Sequence, residues 1–600
     1  MKHSSFARFA LLFWAAVLLV VPAFRASAAD LRLADVFDDH MVLQRNQPVK
    51  VWGWAGANEA VTVSFAGKSQ STTAAADGRW MLELPPMPAN ANGRALTASS
   101  GSAQSAIQDV LVGDVWLLGG QSNMQMPLWW RHDGMEKLEG TRLSLHTDHD
   151  WLRIMTVPQL ANREPQEGFP KDGTGPNGEV YGRWFVSQAK HPAISTFSSL
   201  GYYIGVKLHE QVGVPIGLVD TSWGGTLASL WCSREQLEHT PEAADVLAEW
   251  DRKVAEWTPE KAQQQYQADL ADWEKRVQAA QAAKAPRMPK KPELGIDPRL
   301  EKYHPAGCFN AMILPIRHLT ISGAMFFQGE NNVFDQTRIF ETTFRGVVDT
   351  WRDAFGRQDL PFCIFQIAGW GGKYKEFGEN KIVHIQEAQK KVHLSRQHTG
   401  FVVTADHTHK DIHPLRKKPL AERAVRWALA EVYGRKNVTW GDPTVTATER
   451  KDGKLLLRFQ TPGGEKLTIH PVPTGFALSA DGKSAVPEAQ AANGAIPLAD
   501  VPTGFVIAGK DRKFVPARAE VIDATTVAVW AESVPEPVAV RYGWSPRGFF
   551  TLHTESGLPA GPFRTDDWDF LTDILEQEAK ARAAKLRKRA AEAKARAEGK

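Results

Sequence analysis

Trp116-Leu117-Leu118-Gly119-Gly120-Gln121-Ser122-Asn123-Met124-Gln125-Met126 is the stretch on which the reading of this 600-residue chain turns. An apolar run, Val110-Leu111-Val112 through Val115-Trp116-Leu117-Leu118, reads as a fully buried strand, and Gly119-Gly120 allow a sharp turn where a side chain would clash. A strand, a tight glycine turn and then a serine lift a hydroxyl clear of a sheet edge. Residue 124 is methionine, so the stretch is not Gly-x-Ser-x-Gly and does not match an α/β-hydrolase elbow. The plain alternative is that Ser122 simply caps the next helix.

Working outward, residues 108–434 alternate buried strands with helical segments, as in Val214-Pro215-Ile216-Gly217-Leu218-Val219-Asp220 and Pro361-Phe362-Cys363-Ile364-Phe365-Gln366-Ile367. That alternation predicts an α/β domain, a mainly parallel sheet with flanking helices, whose sites gather in the loops at the carboxyl ends of the strands. Ser122, the loop Thr221-Ser222-Trp223-Gly224-Gly225-Thr226, the loop after Phe326-Phe327 and Trp370-Gly371-Gly372 all follow candidate strands. Residues 236–300 interrupt the pattern. Thr240-Pro241-Glu242 and Thr258-Pro259-Glu260 each offer a cap, a first-turn proline and an early acid, so two helices are expected there. Val246, Trp250, Val254, Trp257 and then Tyr266, Leu270, Trp273, Val277 fall on helical spacing, which predicts a helical hairpin docked by aromatic stripes.

Residues 29–107 and 435–567 carry short alternating strands and are expected to form β-sandwiches, with Asp77-Gly78 reading as a hairpin turn. Residues 1–28 run basic, apolar, then small (Ala26-Ser27-Ala28), the order of a cleaved secretory signal, so export to a periplasm or to the outside is expected. Nothing later is apolar enough to span a membrane. Residues 568–600 form an Ala-rich basic tail, helical or disordered, and nine of the 21 residues in 580–600 are Lys or Arg against two Glu. Net charge is only +3, so without the tail the body is slightly acidic and is not a nucleic-acid surface. Cys232, Cys308 and Cys363 are the only cysteines, which allows one disulfide at most. Tryptophan numbers 21, a slight pointer to a carbohydrate partner because indoles stack on sugar faces as well as filling cores.

A serine nucleophile needs a base, and the base needs an orienting acid. Asp411-Ile412-His413-Pro414 places a carboxylate and an imidazole two residues apart, able to face Ser122 from one loop. The surrounding His407, His409 and His413 raise a rival reading as a metal site, but no matching cluster on a second element is evident, and no metal is assigned. Oxyanion donors are available from the backbone of Ser122 and Gly225 and from the amides of Gln328-Gly329-Glu330-Asn331-Asn332.

Taken together, Gly120-Gln121-Ser122-Asn123-Met124, Ser222-Trp223-Gly224-Gly225-Thr226, Gln328-Gly329-Glu330-Asn331-Asn332 and Asp411-Ile412-His413-Pro414 stand in the order seen in the sialate O-acetylesterase-like family of SGNH hydrolases, which the chain resembles. Met41-Val42-Leu43-Gln44-Arg45, Asn310-Ala311-Met312-Ile313-Leu314-Pro315 and Gly557-Leu558-Pro559-Ala560-Gly561-Pro562 extend the resemblance over about residues 30–567. It implies an SGNH-type fold and a serine esterase that removes O-acetyl groups from sugars without a cofactor, with Ser122 as nucleophile, His413 as base and Asp411 as its partner. Asp-x-His is the spacing of this family, where broader SGNH enzymes have Asp-x-x-His. Of Gln328 and Asn331, Gln328 is expected to turn its amide to the oxyanion. The expected substrate is an O-acetylated oligo- or polysaccharide of the plant wall, xylan or xyloglucan, with Trp129, Trp130 and Trp370 as sugar platforms. Sialic acid 9-O-acetyl esters are the alternative substrate, and a non-catalytic glycan-binding protein is the alternative of another class.

Overall fold

The computed structural model describes residues 31–130, 148–175, 178–189, 191–479, 481, 483–487 and 495–581. The expected signal and most of the basic tail lie outside the described residues. The chain is a mixed α/β structure with a central mixed sheet and further β regions on either side.

The amino-terminal region contains β1 (Val49–Trp54), β2 (Ala60–Phe65), β3 (Arg79–Leu84) and β4 (Asn90–Ser100). β1 pairs antiparallel with β3, and β2 with β4. Asp77-Gly78 forms a tight turn but not a hairpin. The strand before it, Lys68–Thr73, pairs with β2, while β3 crosses to β1 in another sheet, so the hairpin is closed instead at Ala66-Gly67.

β5 (Ala103–Gly120) is 18 residues long and joins this region to the next. Its first part pairs antiparallel with β4, and its last part lies at the centre of the main sheet. After β5 come α1 (Ser122–Gln125), β6 (His149–Thr156), β7 (Trp184–Ser187), α2 (Ser199–Val212) and β8 (Ile216–Asp220). The insertion supplies α3 (Ala244–Glu256) and α4 (Pro259–Ala282). β9 (Gly323–Phe327), α5 (Phe340–Phe355), β10 (Phe362–Phe365), α6 (Lys381–Leu394), β11 (Thr399–Val402) and α7 (Lys418–Trp427) complete the central part. The strand order is β7-β6-β8-β5-β9-β10-β11, parallel throughout except for edge strand β7. Where the parallel strands are buried on both faces they read as apolar runs, as in Gly323-Ala324-Met325-Phe326-Phe327, where all five residues are buried; β6, with His149, Asp150 and Arg153, departs from this.

Helices cover both faces. α2 starts where Ser198 Oγ accepts the Gly201 N–H at 2.9 Å and stops at left-handed Gly213. On the α5 face, Trp231, Phe326, Trp351 and Phe362 interlock edge to face, and Phe344 lies tilted against Phe326. Trp116, Trp184, Trp231, Trp351, Trp427 and Trp544 are all fully buried, so much of the tryptophan content is core.

In the insertion, Thr258 Oγ1 accepts the Lys261 N–H and caps α4, as read from the sequence. Thr240 makes no such cap; a short 3₁₀ turn, Pro241–Ala243, precedes α3. α3 buries Leu247 and Trp250, whereas α4 buries no residue fully. Its stripe is half covered by the extended return segment, to whose Pro289 carbonyl Trp273 Nε1 donates at 2.9 Å.

The carboxyl-terminal region holds two four-stranded antiparallel sheets. Fully buried Arg541 anchors it, pairing with Glu379 of the central part and with Asp566 at 2.7 Å. The three cysteines are buried and free. Among the described residues no helix is long and apolar enough to cross a membrane.

At Gly120 the backbone has φ +122°, and a Cβ there would stand 2.0 Å from the Phe327 carbonyl oxygen. Gly120→Ala is therefore expected to cost at least ~2 kcal/mol of stability, read by denaturant unfolding, since both the backbone conformation and the strand spacing oppose it.

Candidate active site

β5, β8, β9, β10 and β11 run parallel, so their carboxyl ends lie along one edge of the sheet and the loops that follow meet there. At the end of β5, Gln121 N–H donates to the Phe327 carbonyl at 2.9 Å and the Gly120 carbonyl accepts the Trp223 N–H at 2.9 Å. Ser122 is the first residue of α1, not its cap: Gln121 holds the cap position without a side-chain bond. The Ser122 hydroxyl is half-buried and turned outward from the sheet edge.

His413 arrives on the loop after β11. Its Nε2 is 2.9 Å from Ser122 Oγ, and its Nδ1 is 3.0 Å from Asp411 Oδ1. The same carboxylate oxygen accepts the His413 backbone N–H at 3.1 Å, so Asp411 closes an Asx turn around its own partner. With Nδ1–H donating to Asp411, Nε2 is left as the acceptor for the serine proton. The Asp411 side chain is half exposed and that of His413 mostly covered. The structure thus brings the three residues singled out in the sequence into one hydrogen-bonded line.

Beneath this line lies a buried polar cluster of which the sequence reading held only Glu330, as an internal hydrogen-bonding residue, and neither Asn123 nor Lys417. Asn123 Nδ2 donates to Glu330 Oε1 at 2.5 Å and to the Ile412 carbonyl at 3.2 Å, while Lys417 Nζ donates to Asn123 Oδ1 at 2.8 Å. Asn123 therefore ties the serine turn to the peptide between Asp411 and His413. Burial pushes the Glu330 carboxyl up to about 7, against the opposing pull of its Asn123 bond and the Lys417 charge. The signal in the sequence was an acid three residues beyond the end of a wholly apolar strand.

The oxyanion candidates divide. Gln328 is fully buried and its amide nitrogen is engaged, donating to Asn332 Oδ1 at 2.7 Å and to the Thr226 carbonyl at 3.1 Å. Both hydrogens are held by protein acceptors, so Gln328 is turned away from the role expected of it. Asn331 is half-buried and donates one amide hydrogen to the Gly225 carbonyl at 2.8 Å, leaving the other. Gly225 has φ +74°, and Gly224 lies against Ser122, where a Cβ on it would be 3.4 Å from Ser122 Cβ.

Aromatic side chains rim the site. The Trp130 ring centroid is 5.0 Å from that of His413, Trp129 is exposed, and Trp370 stands 6.2 Å from exposed Phe334 while its backbone bridges to His409. His407, His409 and His413 do not converge. His407 packs beside Asp406, and His409 Nδ1 accepts the Asp411 N–H at 3.0 Å. Among the described residues no group of three or more His, Cys, Asp or Glu is arranged to hold a metal ion.

Sialate O-acetylesterase of Mus musculus is 24% identical over 585 residues, covering 91% of this chain and 96% of that protein. The Homo sapiens sialate O-acetylesterase is 25% identical over 469 residues, covering 74% and 78% respectively. A carbohydrate acetylesterase from Xanthomonas citri of known structure superposes with a TM-score of 0.66 at 28% identity, covering 90% of this chain and all of that one. These likenesses support a sialate O-acetylesterase-like family for the chain. This sialate O-acetylesterase-like chain is a carboxylic ester hydrolase. The likeness runs over nine-tenths of its length and so takes in flanking β regions as well as the central sheet. No family model matches the chain.

The raised Glu330 carboxyl has a sign that can be measured. The native state keeps a proton that the unfolded chain releases near its ordinary 4.5, so stability falls as pH rises from about 4.5 to about 7 and is then level. Asp220, pushed up to about 7 by burial, adds to the same window. Glu330→Gln keeps the oxygen that Asn123 donates to and removes the titration. Between pH 5 and pH 8 the variant is expected to lose about 2 kcal/mol less stability than the parent in urea unfolding, with the remaining slope left to Asp220.

Proposed function

We propose that this chain is an exported serine esterase of SGNH-hydrolase type that removes O-acetyl groups from glycans, with Ser122 as nucleophile, His413 as general base and then acid, and Asp411 as orienting acid. The observation that carries the reading is the continuous hydrogen-bond line Asp411–His413–Ser122 at 3.0 and 2.9 Å. The O-acetylesterase names of its relatives support the ester class.

In the first step Ser122 Oγ attacks the acetyl carbonyl while His413 Nε2 takes its proton. The tetrahedral oxyanion is met by N–H groups of Ser122 and Gly225 and by the second amide hydrogen of Asn331. Collapse expels the sugar alkoxide, which takes the His413 proton and leaves as the alcohol, and Ser122 is left acetylated. Water, deprotonated by His413, then attacks the acetyl group; acetate departs and Ser122 regains its proton. No cofactor enters the sequence.

We assign the sugar to the rim formed by exposed Trp129 and half-buried Trp130 and Trp370, whose faces suit pyranose rings. An open rim favours a polymer, acetylated xylan or xyloglucan, over a terminal sialic acid. The sialate reading rests on the names of the mammalian relatives.

The test is acetate release from p-nitrophenyl acetate, acetylated xylan and 9-O-acetyl sialic acid, each with and without EDTA. Ser122→Ala and His413→Ala are expected to lose about 10³-fold or more in kcat, and EDTA is expected to change nothing. Asp411→Asn should lose less, about 10- to 100-fold, because its half-exposed carboxylate is screened by water. A Ser122→Ala enzyme with the parent rate overturns the mechanism, and preference for the sialate ester overturns the polysaccharide assignment.

A further inference from the structure

The helical insertion returns to the central part through Lys302 and Tyr303, and these two residues end beside the proposed site. A Cβ on Gly225 would lie 3.5 Å from Lys302 Nζ and 3.7 Å from the Tyr303 hydroxyl. Lys302 Nζ donates to the Gly224 carbonyl, and it stands 4.9 Å from the centroid of the Trp223 ring and 5.6 Å from that of Tyr303. Among the described residues no carboxylate lies within ion-pair reach of Lys302, and burial lowers its pKa. A half-buried ammonium held only by a carbonyl and two ring faces gives up hydration with no opposite charge in return, an arrangement that stability alone does not favour.

What it bonds to gives the reason. The Gly224 carbonyl and the Gly225 N–H belong to one planar trans peptide and point in opposite directions. A cation on the oxygen therefore sets the plane of that unit, directs the N–H to the far side and strengthens it as a donor by polarising the amide. The flanking units are held as well: Gly224 N–H donates to Gln125 Oε1 at 2.6 Å and the Gly225 carbonyl accepts from Asn331 Nδ2 at 2.8 Å. Among the described residues the Gly225 N–H has no hydrogen-bond acceptor.

We propose that Lys302 is a positioning residue: its ammonium, bonded to the Gly224 carbonyl, orients and polarises the Gly224–Gly225 peptide so that Gly225 N–H donates to the tetrahedral oxyanion. The inference rests on the serine-esterase reading above. It also gives the insertion a function, since its return segment delivers the charge.

The experiment compares the full chain with Lys302→Met, Lys302→Arg and Ser122→Ala, measuring steady-state hydrolysis of p-nitrophenyl acetate, thermal unfolding and the rate at which diethyl p-nitrophenyl phosphate inactivates the enzyme. Lys302→Met is expected to lower kcat about 10- to 100-fold with KM nearly unchanged and to slow inactivation in parallel, because both reactions build charge on the same oxygen. Lys302→Arg is expected to recover most of kcat. Lys302→Met with the parent kcat, or with its loss confined to KM, overturns the proposal. Should the Met variant unfold, Lys302→Gln, neutral but able to donate, is read by the same criteria. Parental activity in Ser122→Ala would overturn the serine reading itself; an inactive Ser122→Ala beside an unimpaired Lys302→Met would overturn this inference alone.

Discussion

The parallel pairing of the last five residues of the long strand β5 with β9, closed by the approach of Gly120 to the Phe327 carbonyl, is the constraint on which the rest depends. Parallel strands in register end together, and a one-residue slip would exchange buried for exposed positions along the whole strand. Because β8 and β9 flank β5 in fixed register, Ser122, the Gly224–Gly225 loop and the Gln328–Asn332 segment emerge side by side. The same strand is shared with the amino-terminal β region, so the serine turn is held by two packed units.

Beneath the site the chain accepts an expensive arrangement. Glu330, Asn123 and Lys417 are all buried, and among the described residues one Glu330 oxygen has no partner. Burying such groups is unfavourable unless they are satisfied, and here the return is geometric: one amide, Asn123, binds the serine turn to the loop that carries His413. Gln328, Asn332 and Thr226 form a second set that braces the two neighbouring loops. Gln328 is thus a support within the wall of the site.

Much of this was legible in the chain itself. Strands buried on both faces show as unbroken apolar runs, so the α/β region and its loops stood out, and the turn at Gly119-Gly120 announced Ser122 because glycine is needed where two backbones nearly touch. Asp411 and His413 were visible because they pair within one short loop. Features that depend on partners distant in sequence were not. Asp77-Gly78 has the composition of a hairpin turn, yet its flanking strands belong to different sheets. The stripe on α4 has helical spacing, but only the fold shows that an extended segment, and not the core, half covers it.

The sequence by itself determined the local elements, the order of the loops and the identity of the groups able to do chemistry, because periodicity, glycine and short-range pairing are properties of neighbouring residues. Only the tertiary structure decided which amide is engaged and which is left with a hydrogen to give, that Asn123 binds two loops almost 300 residues apart, and that Lys302 reaches the Gly224 carbonyl across 78 positions. Those outcomes depend on distances and directions between segments remote along the chain, and they exist only once the sheet has brought the strand ends to a common edge.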